Sequence, residues 1–282
     1  MNEKYNKLKD ILGPEKFTDE EFPIKSTENN PWLKGAKKWN EEGNLVPKTL
    51  DDLKFDRPVY GKFLQDSHSA QDILQGQIGM NSFKGPEYMI QILGDCWFLA
   101  ALAAVAEERH RIDKVIMPEF NETETAKELG LYRFRFFDLD WYDVIIDDVL
   151  AKGYVAEPAK NEYWVPLIEK AYAKFHGNYE TLIGGFSLNG LYNLTGGLTI
   201  GLSKEDSEGP SAYWSTDEVN GFDLFEFLMK NQEDAIYCSG NSITAAENIA
   251  RDIAGKTETA DKNGLIAPHA YSFLQLAKVH LK

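Results

Sequence analysis

The sequence predicts an α+β fold, and three observations carry that expectation. An alanine- and leucine-rich stretch from Asp95 to about Glu108 reads as helix. Two alternating apolar runs, Leu131–Phe137 and Trp141–Asp148, read as a strand and its partner. Further strand-like segments, Ala235–Cys238 and Leu265–Ala277, gather near the end. Helices first and strands later is not the regular βαβ alternation of a parallel sheet. No internal repeat runs through the chain.

The elements follow in order. Residues 1 to about 50 are polar and charged, with Pro14, Pro23, Pro31 and Pro47 and scattered anchors at Phe22, Trp32, Leu33 and Trp39. This reads as an arm wrapped on the surface. The segment 51–79 is mixed and holds the polar loop Gln65–Asp72, and Gly79, Gly85 and Pro86 give the next stretch a loop-like start. Asp95 suits the N-cap of the first strong helix, and His110 is read as its end, where a cation is stabilised. The strand pair turns through Asp138–Asp140. Leu167, Ile168, Ala171 and Tyr172 stand at helical spacing within Trp164–Phe175, which His176 and Gly177 close. Gly184, Gly185, Gly190, Gly196 and Gly197 mark Leu182–Gly201, and the polar stretch Ser203–Trp214 reads as a linker. Phe222–Asn231 is a short amphipathic helix, and the polar run Ala245–Ala260 is helix or loop. The expected organisation is an arm (1–50), a helical subdomain (51–200) and a β subdomain (201–282).

Composition narrows the function classes. A chain of 282 residues buries a sizeable core without staples. Hydrophobic residues at 43% and aromatics at 12% describe a folded globular protein. The net charge of −15 argues against nucleic-acid phosphates and anionic lipid as partners, and is compatible with calcium. Two cysteines, Cys96 and Cys238, exclude a disulfide framework and suit a reducing compartment. The polar start Met1–Lys7 shows no signal-peptide pattern, so a cytoplasmic location is expected, and the chain is expected to be a monomer. The longest apolar run, Trp97–Ala106, is too short to span a bilayer. Two glycosylation sequons, at Asn121 and Asn193, are then silent.

Cys96 is the first chemical candidate. It sits one residue into a helix, where the dipole favours a thiolate, in the setting Gly94-Asp-Cys-Trp97. Packing is the other role of a cysteine. A thiolate needs a histidine to hold the ion pair and protonate a leaving amine. Of the five histidines, His269 lies in the strand-like Pro268-His-Ala-Tyr-Ser272, far from Cys96 in sequence, as is normal for a Cys–His couple. His110 and His176 read as helix ends, His68 lies in a polar loop, and His280 is close to the last residue. Cys238 reads as a core thiol. Asp147 and Asp148 have the look of an acid/base pair, but their place at a strand end suits a structural role.

These residues carry a resemblance. Gly94-Asp-Cys-Trp-Phe-Leu-Ala-Ala101 resembles the nucleophile segment of calpain-type cysteine proteases. Val144-Ile-Ile-Asp-Asp148 resembles the family's buried strand. Asn161-Glu-Tyr-Trp-Val-Pro-Leu-Ile-Glu-Lys-Ala-Tyr-Ala-Lys174 resembles its second signature helix, and Gly177–Glu180, Gly184-Gly185 and Leu194–Gly197 follow at its spacing. Gly264-Leu-Ile-Ala-Pro-His-Ala-Tyr-Ser272 resembles the histidine segment. The match runs from about residue 20 to 275. It implies a papain-like fold, with Cys96 on a helical subdomain, His269 on an antiparallel β subdomain and a cleft between. It implies endopeptidase chemistry on polypeptide substrates, with Gly184 and Gly185 lining the cleft and Trp164 beside it; taken alone, a glycine pair is a tight turn and a tryptophan is core. It implies Ca²⁺ as cofactor, with Asp72 and Glu162 where carboxylate ligands are expected, although the loop Gln65–Asp72 lacks the family's usual glycines. A transglutaminase-type enzyme on the same fold is disfavoured by the Gly94–Trp97 and Gly264–Ser272 segments.

Two departures stand out. The family run Gln-Gly-x-x-Gly-Asp-Cys-Trp supplies an oxyanion-hole glutamine, but that spacing puts Ile90 at the glutamine position. Gln75-Gly-Gln-Ile78 joined to Gly94 would restore the run, so 79–93 reads as a fifteen-residue insertion, with Gln91 as a substitute one residue out of register. The family's orienting asparagine lies in an Asn-Pro-x-Gly segment after the histidine. Only 13 residues follow His269 here and none is Asn, so the chain reads as ending ahead of that strand. Pro268 stands where the family usually has Gly. The alternative is therefore a catalytically inactive relative that binds polypeptides or acts as a scaffold.

Overall fold

A computed structural model describes residues 15–23, 37–39, 45–47, 54–57, 63, 93–152, 162–203, 214–215, 224–241, 259–260, 266–267 and 269–273. The core forms around helix α1, Cys96–Ala106, in which every residue from Trp97 to Ala106 is buried. A helix apolar on all sides is one enclosed on all sides, and alanine at 100, 101, 103, 104 and 106 lets neighbours approach closely. Helices α2 (Arg109–Ile116), α3 (Pro118–Asn121) and α4 (Glu124–Leu129) follow. Helix α1 therefore stops before His110, which lies in the first turn of α2 with Nδ1 3.6 Å from Glu108. The expectation that His110 ends the Cys96 helix is corrected. Thr123 caps α4 by accepting from the Ala126 amide at 3.1 Å.

Strands β4 (Leu131–Asp138) and β5 (Asp140–Asp147) form the expected hairpin, in register from Leu131↔Asp147 to Asp138↔Asp140, with Leu139 at φ +62° in the turn. Alternation buries Tyr132, Phe134 and Phe136 and leaves Arg133 and Arg135 on the outer face. Helix α5 (Trp164–Phe175) covers the inner face. Tyr172 stacks on Phe98 of α1 at 3.8 Å and meets Phe136 of β4 at 5.1 Å, so one ring joins helix, helix and hairpin. After a 3-10 turn (Tyr179–Leu182), helix α6 (Ser187–Thr195) crosses α1 where Gly190 leaves room for Ala101. The glycine count had hidden this helix.

Shorter pairs complete the description. Strands β1 (Lys37–Trp39) and β2 (Leu45–Pro47) pair antiparallel, as do β3 (Lys54–Asp56) and β6 (Leu150–Lys152). Beyond α6, β7 (Leu202–Ser203) and β8 (Trp214–Ser215) are parallel, which departs from the purely antiparallel expectation. Helix α7 (Leu224–Asn231) precedes β9 (Tyr237–Asn241), and β10 (Thr259–Ala260) pairs β11 (Ile266–Ala267). Strand β12 (His269–Phe273) runs antiparallel to β9, from His269↔Asn241 to Phe273↔Tyr237. The longest hairpin thus lies within 51–200, amid the helices rather than after them.

Residues 15–23 are tied down, not merely draped. Phe22 is core, the Phe17 amide donates to Leu129 at 2.7 Å, and the Asp19 amide donates to the Asp147 carboxylate at 2.8 Å. Lys170 donates to Asp147 at 2.5 Å and to the Val149 carbonyl at 2.7 Å, with both partners of the ion pair fully buried. Asp148 pairs with Arg57 and Lys16. The two aspartates hold strand ends and arm together, as the structural reading expects. Both sequon asparagines are buried and donate to backbone carbonyls, Asn121 to Ile116 and Arg133, Asn193 to Phe137, which leaves no room for a glycan. Among the described residues no helix is long and apolar enough to cross a membrane.

Candidate active site

The head of α1 is built by its own sequence. Gly94 takes φ +83°, a turn conformation that glycine adopts freely. Asp95 stands at the N-cap, and its carbonyl accepts from Phe98 and Leu99 to start the helix. Its side chain makes no capping bond, which corrects the sequence expectation. The carboxyl turns inward instead, fully buried. Burial pushes this acid up to about 6, opposed by Glu169 of α5 and by its own backbone N–H. Cys96, the first residue of the helix, is half-buried. A rigid, enclosed helix thus presents one thiol at its positive end.

The glycine pair lies beside it. The Gly184 amide donates to the Gly94 carbonyl at 3.0 Å. Trp97 donates from its indole to the Leu182 carbonyl at 2.8 Å. Its ring fills the space where a side chain on Gly185 would lie, with a Cβ there only 2.5 Å from Cε2. Ile183, Gly184, Gly185 and Phe186 are all exposed.

The strand of His269 docks on the same helix. Ser272 Oγ donates to the Ala100 carbonyl at 2.8 Å, and Cys238 Sγ of β9 donates to that same carbonyl at 3.6 Å. Ala100 lies one turn below Cys96. Pleating puts Ala270 and Ser272 toward the helix, with His269 and Tyr271 on the other face, their rings 5.1 Å apart. His269 is half-buried at the strand's first residue. The structure therefore brings the Cys96 helix, the Gly184-Gly185 segment and the His269 strand into one body. Burial pushes the Cys238 thiol up to about 12, as suits a packing cysteine.

Other expected residues fall differently. Trp164 is fully buried in the core, its indole donating to Glu162 at 3.1 Å. That is a packing environment, the role expected of a tryptophan taken alone. Glu162 is itself buried, with that carboxylate oxygen accepting from the indole. No group of three or more His, Cys, Asp or Glu side chains converges among the described residues. Asp72, Gln75, Gln91, Pro268 and the 79–93 segment lie outside the described residues. Sequence reading missed Ser272 as the strand's tie to α1, and missed the inward turn of Asp95. The signal for the latter was Glu169, an acid next to Ile168 in a helix that packs on most sides.

The model of the calpain family cysteine protease domain matches residues 17–282. The chain is 31% identical over 281 residues to the calpain-type cysteine protease DEK1 of Arabidopsis thaliana, covering 95% of this chain and 11% of that protein. It is 33% identical over 229 residues to calpain-5 of Mus musculus, covering 77% of this chain and 31% of that protein. It is 33% identical over 226 residues to calpain-A of Drosophila melanogaster, covering 78% and 23%. The chain thus spans between about a tenth and a third of the length of these relatives. With its cysteine at the head of an enclosed helix and its family match across nearly all its length, the chain belongs to the calpain family of cysteine proteases.

Proposed function

We propose that this chain is the peptidase core of an endopeptidase in which Cys96 is the nucleophile and His269 its acid–base partner. The Cys96 thiolate attacks a substrate carbonyl, and a C–S bond forms. His269 protonates the leaving amine as the C–N bond breaks. Water, giving its proton to His269, then cleaves the thioester and returns the thiol. The backbone N–H of Cys96, first in its helix, has no intrahelical acceptor and is available to the oxyanion. Gln75 or Gln91 is the proposed side-chain donor, with Gln75 displaced by the insertion. Gly184 and Gly185 admit the substrate backbone. The observation that carries this reading is the 3.0 Å bond from Gly184 to Gly94, which sets an exposed glycine pair beside the turn that leads into Cys96.

The partners proposed are polypeptides, for a monomer in the cytoplasm. Calcium dependence is carried by the family resemblance and by the acidic balance. The glutamine motif is split in this sequence, and loss of an oxyanion donor costs roughly 10²-fold or more, so slow turnover is expected. Peptide release from casein, with and without millimolar calcium, tests the reading. Cleavage lost in Cys96→Ala supports it, and a rise with calcium supports the cofactor. Tight peptide binding with no cleavage by either form would favour a scaffold protein instead.

A further inference from the structure

The ribbon that carries His269 meets helix α1 through small side chains. Ala270 and Ser272 of β12 turn toward the helix, and their partners directly across on β9 are Gly240 and Cys238. Residues directly opposite each other lie on one side of a sheet, so all four belong to the same face. Helix α1 answers in kind, with alanine at 100, 101, 103, 104 and 106. Interiors gain a unique fit from interdigitating side chains. Side chains this short interdigitate little, so packing alone fixes neither the height nor the rotation of the ribbon on the helix.

Two hydrogen bonds supply what packing does not. Ser272 Oγ donates to the Ala100 carbonyl at 2.8 Å, and Cys238 Sγ donates to the same oxygen at 3.6 Å. Ser272 and Cys238 are themselves cross-strand partners, so one oxygen on the helix pins both strands. The thiol is suited to this task. Burial pushes Cys238 up to about 12, so it keeps its proton at neutral pH and stays a donor, where a thiolate would face the carbonyl as a second acceptor. Ala100 lies four residues from Cys96, about 6 Å along the helix axis. Ser272 lies three residues from His269, about 10 Å along the strand.

We propose that Ser272 and Cys238 form a two-donor clamp on the Ala100 carbonyl that sets the position of His269 relative to Cys96. The clamp rests on the reading of Cys96 and His269 as nucleophile and acid–base partner. Both clamp residues are positioning residues, acting through the ribbon and not on substrate. A slip at the clamp carries His269 with it, and misplacement by about 1 Å can cost roughly 10²-fold. The shorter bond from the hydroxyl bears more of the load, and the longer one from the thiol braces the second strand. Cys238 thereby has a task that a packing residue of the same size would not perform.

Iodoacetamide labelling of Cys96 at neutral pH, read by peptide mass, tests the clamp in two backgrounds. With His269 present, Ser272→Ala and Cys238→Ala should each slow labelling severalfold, Ser272→Ala the more, while urea unfolding shows both chains folded. In His269→Ala, where labelling is already slow, neither substitution should slow it further, because no imidazole is left to position. Equal slowing in both backgrounds, or slowing in neither, overturns the clamp. Labelling that is indifferent to His269→Ala itself overturns the underlying nucleophile reading, and the clamp with it, so the two failures are told apart. Should either alanine variant fail to fold, wild type suffices. Once Cys96 is blocked, Cys238 is the one remaining thiol of the chain. Its S–H stretch in the infrared should fall at the lowered frequency of a hydrogen-bonded thiol, and the frequency of a free S–H overturns the proposal.

Discussion

The Gly184 amide donates to the Gly94 carbonyl at 3.0 Å, and this bond fastens an exposed glycine pair to the turn that launches Cys96. Everything chemical proposed for the chain is measured from that junction. Trp97 seals it from below, with its indole on the Leu182 carbonyl and its ring against Gly185.

Gly185→Ala should disrupt the junction. The new methyl would lie 2.5 Å from Cε2 of Trp97, a ring held by its own hydrogen bond. Overpacking of this kind costs about 1–3 kcal/mol. Urea midpoints check the stability loss, and peptide release should fall further than stability alone explains.

Ser272→Ala should loosen the His269 strand from α1. The lost bond to Ala100 contributes about 1 kcal/mol. The chain should remain folded, while peptide release drops severalfold because His269 is carried on the same strand. Equal, small losses in both readouts would confine Ser272 to stability.

Lys170→Met should be among the most destabilising single changes. It leaves Asp147 charged and buried, still accepting from the Asp19 and Val149 amides but without its cation. Breaking a buried pair from one side costs about 3–5 kcal/mol, readable as the shift in urea midpoint.

Asp143 should make stability fall at acid pH. Against the desolvation of partial burial, the Arg133 and Arg135 guanidiniums hold its carboxyl below the usual carboxylate range. Its stabilisation is present above the unfolded value of about 3.9 and is lost as pH falls through the folded one. These side chains are partly exposed, so Asp143→Asn should cost less than about 1 kcal/mol at pH 7. The difference from wild type should shrink in urea titrations as pH falls below about 3.9.

Where the sequence was legible, periodicity and a stop signal agreed. Helix α5 falls on Trp164–Phe175 because four apolar residues share a face and His176 and Gly177 end it. The hairpin was readable because its inner and outer residues alternate. Helix α6 was not, because its glycine at 190 serves a close crossing with Ala101 that only the tertiary structure reveals. His110 was misplaced because nothing apolar changes between Ala106 and Ile112 to mark a new helix. Motif spacing is what singles out Cys96 and His269 for the proposed roles. The inward turn of Asp95 was hidden, since an aspartate ahead of a helix looks like a cap whichever way its side chain faces.

The most direct measurement is labelling by a peptidyl electrophile at neutral pH. Cys96 should take one label per chain, His269→Ala should slow the reaction at least about 10²-fold, and Cys238 should stay unlabelled because its thiol is buried and pushed up to about 12. Labelling at Cys238, or labelling of Cys96 at a rate indifferent to His269, would contradict the account.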